Sequence, residues 1–160
     1  MPDRKLLNKV FILLKSRNLT ISTAESCTGG LIAHTLTNIS GSSEYFDRGV
    51  ISYSNAAKMQ LLNISEGTLE KYGAVSKETA EEMARGVRIS SGTDVGISTT
   101  GIAGPTGGTK EKPIGLVYVS VSTKEKTIVK KFNFSGDRLE NKESTCNAAL
   151  SLFIETLETK

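Results

Sequence analysis

The hydrophobic pattern changes period several times along the chain, and each change marks the boundary of a predicted element. Between residues 3 and 17, apolar side chains recur at helical spacing with lysines and arginines between them, which predicts an amphipathic helix. Short apolar or alternating runs further on predict strands. The predicted strands are 19–23, 48–54, 94–100, 116–122 and 126–134, and the predicted helices are 3–17, 30–39, 55–62, 65–73, 76–92 and 138–158.

Capping signals set several of these boundaries. Asn55 is expected to cap the helix that follows it, and Ser76 is expected to cap the helix over 76–92. Gly73 is expected to end the preceding helix because glycine tolerates a left-handed cap. The residues predicted to face the core are Ala80, Met83, Ala84 and Val87 in helix 76–92, and Cys146, Ala149, Leu150, Phe153 and Leu157 in the last helix.

Helices that alternate with strands, followed by a late hairpin, predict one α/β layered domain with a mixed β-sheet over residues 1–160. Open sheets of this kind bind ligands beyond the carboxyl ends of their strands. Three segments rich in glycine or hydroxyl groups fall at such ends, namely 24–30, 53–58 and 99–108. The sequence therefore places a candidate site at that edge of the sheet.

Composition and charge narrow the classes of function. The chain has 20 basic and 17 acidic residues and a net charge of +3, with its lysines scattered, so no basic stripe typical of nucleic-acid binding is present. One histidine and two cysteines offer no metal-type spacing, so no metal site is expected. No cofactor is expected either. No signal peptide and no apolar run of about 18 residues is seen, so a cytoplasmic protein is expected.

The stretch TAESCTGG (23–30) joins the first predicted strand to a helix and contains several potential nucleophiles. Backbone N–H groups of residues 26–30 are expected to point toward Ser26, where they would suit an oxyanion or a phosphate. A hydroxyl that merely caps the helix is the alternative. Cys27 is the alternative nucleophile, but the only histidine, His34, lies about two turns along the helix and is expected to be a surface or packing residue.

Without a histidine, a serine nucleophile needs another base, and a lysine with a lowered pKa can serve. Lys58 lies near the start of a predicted helix, one turn past a strand end, and a helix amino terminus disfavours a protonated amine. Tyr53, at the strand end, is a candidate for relaying or orienting the proton. The alternative for Tyr53 is an aromatic side chain that packs on the sheet edge.

Three further segments are candidate ligand contacts. TTGIAGPTGG (99–108) matches neither G-x-x-x-x-G-K-[ST] nor G-x-G-x-x-G, so its glycines either form a tight loop or accompany ligand-binding hydroxyls. SGDR (135–138) offers an arginine at a helix start, where a phosphate would meet guanidinium and N–H groups, unless Asp137 caps that helix. GSSEYF (41–46) is a polar loop unless it lies next to Ser26.

Taken together, TAESCTGG, GSSEYFDRGVISYSNAAK, YGAVS, TGIAGPTGG with KPIG, and SGDR resemble the CinA C-terminal domain family, over nearly the whole chain. The enzymatic members of that family are nicotinamide-nucleotide amidases. The resemblance implies a three-layer α/β/α domain that hydrolyses the carboxamide of nicotinamide mononucleotide to nicotinate mononucleotide and ammonia, without a metal. Some members also carry a larger N-terminal domain, resembling molybdopterin-binding proteins, which these 160 residues do not include.

Residue by residue, the resemblance implies Ser26 as nucleophile, Lys58 as base and Tyr53 as their catalytic partner. The substrate contacts that it implies are Thr28, Gly41, Ser43, Thr100, Gly101 and Arg138. Relatives often carry arginine where this chain has Lys142, which keeps the charge but loses the planar fork for binding phosphate.

Two other functions stay open at this point. The first is a non-catalytic nucleotide-binding or regulatory module in which Ser26 only caps a helix. The second is an interaction domain in DNA uptake or repair, which the scattered lysines do not favour. The expected partner is the small-molecule substrate, with no nucleic acid or membrane, and a homodimer is expected because small α/β enzymes often support their sites with a symmetry mate.

Overall fold

The computed structural model describes residues 2–159, which contain six α-helices, one short 3-10 helix and five strands. The strands are β1 (Ile21–Glu25), β2 (Phe46–Ile51), β3 (Val95–Gly101), β4 (Leu116–Ser122) and β5 (Thr127–Asn133). The α-helices are α1 (Arg4–Ser16), α2 (Leu31–Leu36), α3 (Asn55–Leu62), α4 (Glu66–Tyr72), α5 (Lys77–Ser91) and α6 (Arg138–Glu158), and the 3-10 helix is Ser42–Glu44. None of the helices within residues 2–159 combines the length and the apolar character needed to cross a membrane.

The five strands form one sheet in the order β2-β1-β3-β4-β5. β1 runs parallel to both β2 and β3, whereas β4 and β5 join antiparallel as a hairpin. The mixed sheet and the hairpin confirm the sequence prediction. Because β1, β2 and β3 are parallel, their carboxyl ends lie at one edge of the sheet, which is where the candidate residues were expected.

One face of the sheet carries the larger apolar side chains and packs on α1, α2 and α6. Apolar residues recur at every second position in the first half of β3 and along β4, as expected for a strand with one face in a core. The members of this cluster include Val10, Leu14, Ile21, Ile32, Leu36, Val95, Ile97, Val117, Val119, Val121, Cys146, Ala149, Leu150 and Phe153. Leu157 is only partly buried against it.

The opposite face carries small residues and packs closely on α5. The hydroxyl of Ser98 donates a 2.6 Å hydrogen bond to the carbonyl oxygen of Ala80, and Arg88 donates to Ser122 at 3.1 Å. A second apolar cluster lies on this side, formed by Ala24, Leu62, Ile64, Leu69, Met83 and Val87. With helices on both faces, the domain has the three-layer α/β/α architecture.

Gly96 shows how tight the packing of α5 is, and it gives a stability prediction. A Cβ atom at Gly96 would lie 2.3 Å from the backbone oxygen of Ala84, so Gly96→Ala forces α5 and β3 apart. We expect a loss of about 2 kcal/mol or more in the free energy of unfolding, measured in urea.

Gly67→Ala is the matched control, because Gly67 lies in α4 and a Cβ atom there would be 3.5 Å from its nearest neighbour. The free energy of unfolding of this variant should increase by up to about 1 kcal/mol. Equal effects of the two substitutions would contradict the close packing.

Several boundaries differ from the prediction. β1 and β2 are shifted to 21–25 and 46–51, because register with neighbouring strands rather than local alternation decides where a strand ends. Ser76 caps α5 as expected, accepting a hydrogen bond from the Thr79 N–H. The prediction for Asn55 is wrong: it is the first residue of α3, and Ser54 is the cap, because the Ser54 hydroxyl accepts from the N–H of Ala57.

Candidate active site

Ser26 and Lys58 lie together at the carboxyl edge of the sheet. Ser26 directly follows β1, and Lys58 belongs to the first turn of α3, which begins shortly after β2 ends. The amine of Lys58 donates to the hydroxyl of Ser26 at 3.2 Å and to the carbonyl oxygen of Ser52 at 2.8 Å. The two residues are 32 positions apart in the chain, and the parallel pairing of β1 with β2 brings their elements together.

The surroundings of Lys58 favour the neutral amine. Its side chain is 1% exposed, and no carboxylate forms an ion pair with it among the described residues. Burial lowers the pKa of Lys58 below its usual 10.5, and the nearby Cys27 raises it by a smaller amount. A neutral amine that contacts a serine hydroxyl has the protonation state that a general base requires.

The other candidate nucleophile and base are placed differently. Cys27 packs in the apolar core and is 5% exposed, and desolvation raises the pKa of its thiol to about 12. A thiol in this state stays protonated at neutral pH, so the geometry favours Ser26 over Cys27. His34 lies exposed on α2, as expected for a surface residue.

Glu25 has a role at this edge that sequence reasoning missed. Its carboxylate is 1% exposed and accepts three hydrogen bonds, from the Thr28 hydroxyl at 2.5 Å, the Ile32 N–H at 2.9 Å and the Ala33 N–H at 3.0 Å. Glu25 thus caps α2 from within β1. The only sequence signal was an acidic residue at the end of an otherwise uncharged buried strand.

The backbone N–H groups of residues 26–30 are only partly available to a ligand. The N–H of Ser26 donates to the Thr99 carbonyl at 3.0 Å, and the N–H of Gly29 donates to the Ser26 carbonyl at 3.1 Å. Among the hydrogen bonds of residues 2–159, none is donated to another residue by the N–H of Cys27, Thr28 or Gly30. Of these three uncommitted groups, those of Thr28 and Gly30 lie on either side of Gly29, within four residues of the serine.

Three of the residues predicted to contact substrate make contacts within the fold. The Thr28 hydroxyl is buried between Glu25 and Thr99, and the Thr100 hydroxyl, also buried, donates to the Ala74 carbonyl at 2.7 Å. Gly101 ends β3 where a Cβ would lie 2.7 Å from the Leu116 carbonyl oxygen. Substrate contacts at these three residues therefore stay predictions.

Arg138 joins the ends of two strands to the start of α6. Its guanidinium donates to the Gly104 carbonyl at 2.7 Å and to the Tyr53 hydroxyl at 2.9 Å. Tyr53 is 60% exposed, and this hydrogen bond links it to Arg138 rather than to Ser26 or Lys58. The amino terminus of α6 is capped by Asp137, whose carboxylate accepts from the Glu140 N–H, so the capping alternative for SGDR is confirmed.

Gly41 and Ser43 lie at the opposite edge of the sheet from Ser26. They precede β2, whose first residue, Phe46, pairs with Ile21 at the start of β1. Since β1 is five residues long at roughly 3.3 Å per residue, about 16 Å separates that edge from the carboxyl end of the strand. Within one chain the structure does not bring Gly41 and Ser43 to Ser26, and their role in binding substrate stays a prediction.

Two cavities flank Leu139, which is 71% exposed beside this edge. One, of about 400 Å³, is lined by Thr28, Gly29, Gly30, Leu31, His34, Leu139, Lys142 and Glu143. The other, of about 460 Å³, is lined by Ala103, Gly104, Pro105, Ile114, Gly136, Asp137, Arg138 and Leu139. Lys142 thus lines the first cavity and Arg138 the second. Within the part of the chain described, no group of three or more His, Cys, Asp or Glu residues could hold a metal ion.

Comparison with known proteins identifies this architecture and motif set. Residues 3–157 match the family description of the CinA C-terminal domain. A CinA-like protein of Chloroherpeton thalassium is 54% identical over 159 residues, which cover 97% of this chain and 38% of that protein. A CinA-like protein of Kosmotoga olearia is 58% identical over 136 residues, which cover 85% of this chain and 33% of that protein.

Among solved structures, the competence/damage inducible protein CihA from Agrobacterium tumefaciens is 39% identical with a TM-score of 0.92, covering 94% of this chain and 93% of that one. A competence damage-inducible protein from Klebsiella pneumoniae is 32% identical with a TM-score of 0.93, and 96% of each chain is covered. The chain therefore spans less than two fifths of the two longer relatives and nearly all of these solved chains.

Proposed function

Because the chain belongs to the CinA C-terminal domain family, we propose that it hydrolyses the carboxamide of nicotinamide mononucleotide, with Ser26 as nucleophile and Lys58 as base. One observation carries the proposal: a buried lysine amine, with no ion-pair partner within residues 2–159, lies 3.2 Å from the serine hydroxyl. A lysine that serves only to stabilise a fold is usually paired or solvated. The products are nicotinate mononucleotide and ammonia, as expected for pyridine nucleotide salvage.

The reaction follows from these positions in two stages. Neutral Lys58 takes the proton of Ser26 as its oxygen attacks the amide carbon, and the tetrahedral oxyanion is stabilised by the uncommitted N–H groups of Thr28 and Gly30. The carbon–nitrogen bond then breaks, and ammonia leaves with the proton returned by Lys58. In the second stage Lys58 deprotonates water as it attacks the Ser26 ester. The ester C–O bond breaks, Lys58 returns the proton to the Ser26 oxygen, and the product acid loses its proton to solvent and leaves as the carboxylate.

The phosphate of such a substrate needs cations near this edge, and Arg138 and Lys142 are the candidates. Arg138 uses two of its five N–H groups within the chain, which leaves three for a phosphate. The amine of Lys142 lies 3.6 Å from where a Gly29 Cβ would be, above the turn that follows Ser26. Lysine binds phosphate as a point charge, so Lys142 offers attraction without bidentate geometry.

Ammonia release from nicotinamide mononucleotide by the purified chain tests the proposal. Equal amounts of ammonia and nicotinate mononucleotide are expected, and omitting the ribose phosphate by offering free nicotinamide should greatly reduce the rate. Calorimetric binding of the mononucleotide with no ammonia produced would contradict the proposal and support the non-catalytic nucleotide-binding module.

Replacing Tyr53 with Phe distinguishes two roles for its hydroxyl. A proton relay requires the hydroxyl during the chemical step, so its loss would lower kcat about a hundredfold. An orienting role through Arg138, which the 2.9 Å hydrogen bond supports, gives a KM that rises about three- to tenfold with little change in kcat. We expect the second result from steady-state kinetics, and a kcat effect alone would return Tyr53 to the proton pathway.

A further inference from the structure

We propose that Glu25 is a positioning residue, whose carboxylate fixes the turn from Ser26 to Gly30 in the geometry that the reaction needs. This inference rests on the proposed function, since it concerns the N–H groups assigned there to the oxyanion. Among the hydrogen bonds of residues 2–159, the Glu25 side chain forms none with Ser26 or Lys58. Its effect therefore passes through the residues that follow Ser26.

The direction of the hydrogen bonds shows how the carboxylate acts. An ionised carboxylate only accepts, so Thr28 donates its single hydroxyl proton to Glu25 over 2.5 Å. The Thr99 hydroxyl, 2.8 Å from that of Thr28, must then donate to it. The resulting chain runs from Thr99 through Thr28 to Glu25. Together with the Ser26 N–H bond to the Thr99 carbonyl, it ties the turn to β3 at two points.

The short helix that follows the turn depends on the same carboxylate. α2 has only six residues, and isolated helices of that length are not stable in water. Gly30, its cap residue, has no side chain to bind the first N–H groups, and Glu25 accepts from Ile32 and Ala33 instead. One carboxylate oxygen of Glu25 accepts from Thr28 and Ile32, and the other accepts from Ala33. The turn is therefore fixed between β1 and α2.

This arrangement also changes the interpretation of two features. Glu25 already accepts from the N–H groups of Ile32 and Ala33 at the positive end of α2, so those two groups are not available to a substrate anion. Thr28 is 1% exposed and its hydroxyl already donates its only proton to Glu25, so this hydroxyl stabilises the turn rather than binding the substrate.

Three variants test the proposal with the full chain. In Glu25→Gln, an amide NH₂ group replaces one carboxylate oxygen and faces a hydrogen-bond donor that the wild-type carboxylate accepts from. This variant should lower kcat for ammonia release at least tenfold, with KM within about twofold of wild type. Thr28→Val keeps the carboxylate and removes one link, and should lower kcat about three- to tenfold with KM unchanged. Asp3→Asn is the matched control, because Asp3 caps α1 through the N–H groups of Lys5 and Leu6, far from the site, and should leave both constants unchanged.

Amide hydrogen exchange supplies a readout that does not depend on turnover. Glu25→Gln should speed exchange at residues 28–33 more than tenfold, whereas Asp3→Asn should affect only α1. A rise in KM for Thr28→Val with kcat unchanged, or wild-type kcat in a folded Glu25→Gln protein, would overturn the positioning role while leaving the Ser26 mechanism in place. A wild type that releases no ammonia would instead overturn the proposed function, and normal exchange in Glu25→Gln would still overturn this inference separately.

Discussion

Ser26→Ala is expected to lower ammonia release from nicotinamide mononucleotide by about a thousandfold or more, the largest effect of any substitution in the chain. Without the hydroxyl no acyl-enzyme can form, and the 3.2 Å contact through which Lys58 acts on the nucleophile is lost. The backbone bond from residue 26 to the Thr99 carbonyl does not involve the side chain, so the turn should remain. Calorimetry of the variant should show wild-type affinity for the mononucleotide.

Cys27→Ala is the matched control for Ser26→Ala. The thiol is buried in the core and protonated, so its loss should reduce stability by about 1 kcal/mol and leave kcat within a few-fold of wild type. Loss of activity in a folded Cys27→Ala protein, with Ser26→Ala still active, would transfer the nucleophile to the thiol.

Lys58→Met is the second substitution with a large expected effect, and it acts oppositely on activity and stability. Methionine approximates the length of lysine without a base, so ammonia release should fall on the order of a hundredfold or more. Lys58→Arg should be equally inactive, because a guanidinium keeps its proton. Recovery of wild-type activity in Lys58→Arg would show that the site needs only a positive charge.

The stability of Lys58→Met depends on pH with a definite sign. Burial lowers the pKa of Lys58 in the folded chain, so between that value and the usual 10.5 the unfolded chain binds more protons than the folded one. The wild-type free energy of unfolding therefore increases with pH in this window. Below the window, the wild type bears the full cost of burying Lys58. In urea unfolding, the free energy of unfolding of Lys58→Met should exceed that of wild type by more at neutral pH than at pH 10. The wild-type rate should rise with pH through the same lowered pKa, because the neutral amine is the base.

The elements that could be predicted from the sequence are those whose signals are local. Helix 76–92 carries a serine cap and a regular buried face, and the structure places α5 there with the same buried residues. Ser26 and Lys58 were expected at one site because both follow predicted strands, and open sheets bind ligands beyond the carboxyl ends of their strands. These inferences needed only the period of the hydrophobic pattern and the order of the predicted strands and helices.

The rest depended on contacts between distant segments. Arg138 and Tyr53 are 85 positions apart, and no local pattern pairs them. Glu25 caps a helix seven and eight residues away, and its burial within β1 gave no indication of this. Gly41 and Ser43 are close to β2 in sequence, but the direction of β2 places them at the far edge from the nucleophile.

The covalent intermediate of the reaction shows whether Ser26 is the nucleophile. Wild-type protein mixed with nicotinamide mononucleotide and quenched in acid during the first turnover should contain the nicotinoyl nucleotide as an ester, located by peptide mass mapping. We expect the added mass on the peptide that contains Ser26, at the Ser26 oxygen, and none in Ser26→Ala. The same adduct on the sulfur of Cys27, or undiminished turnover in the variant that lacks the hydroxyl, would contradict the account.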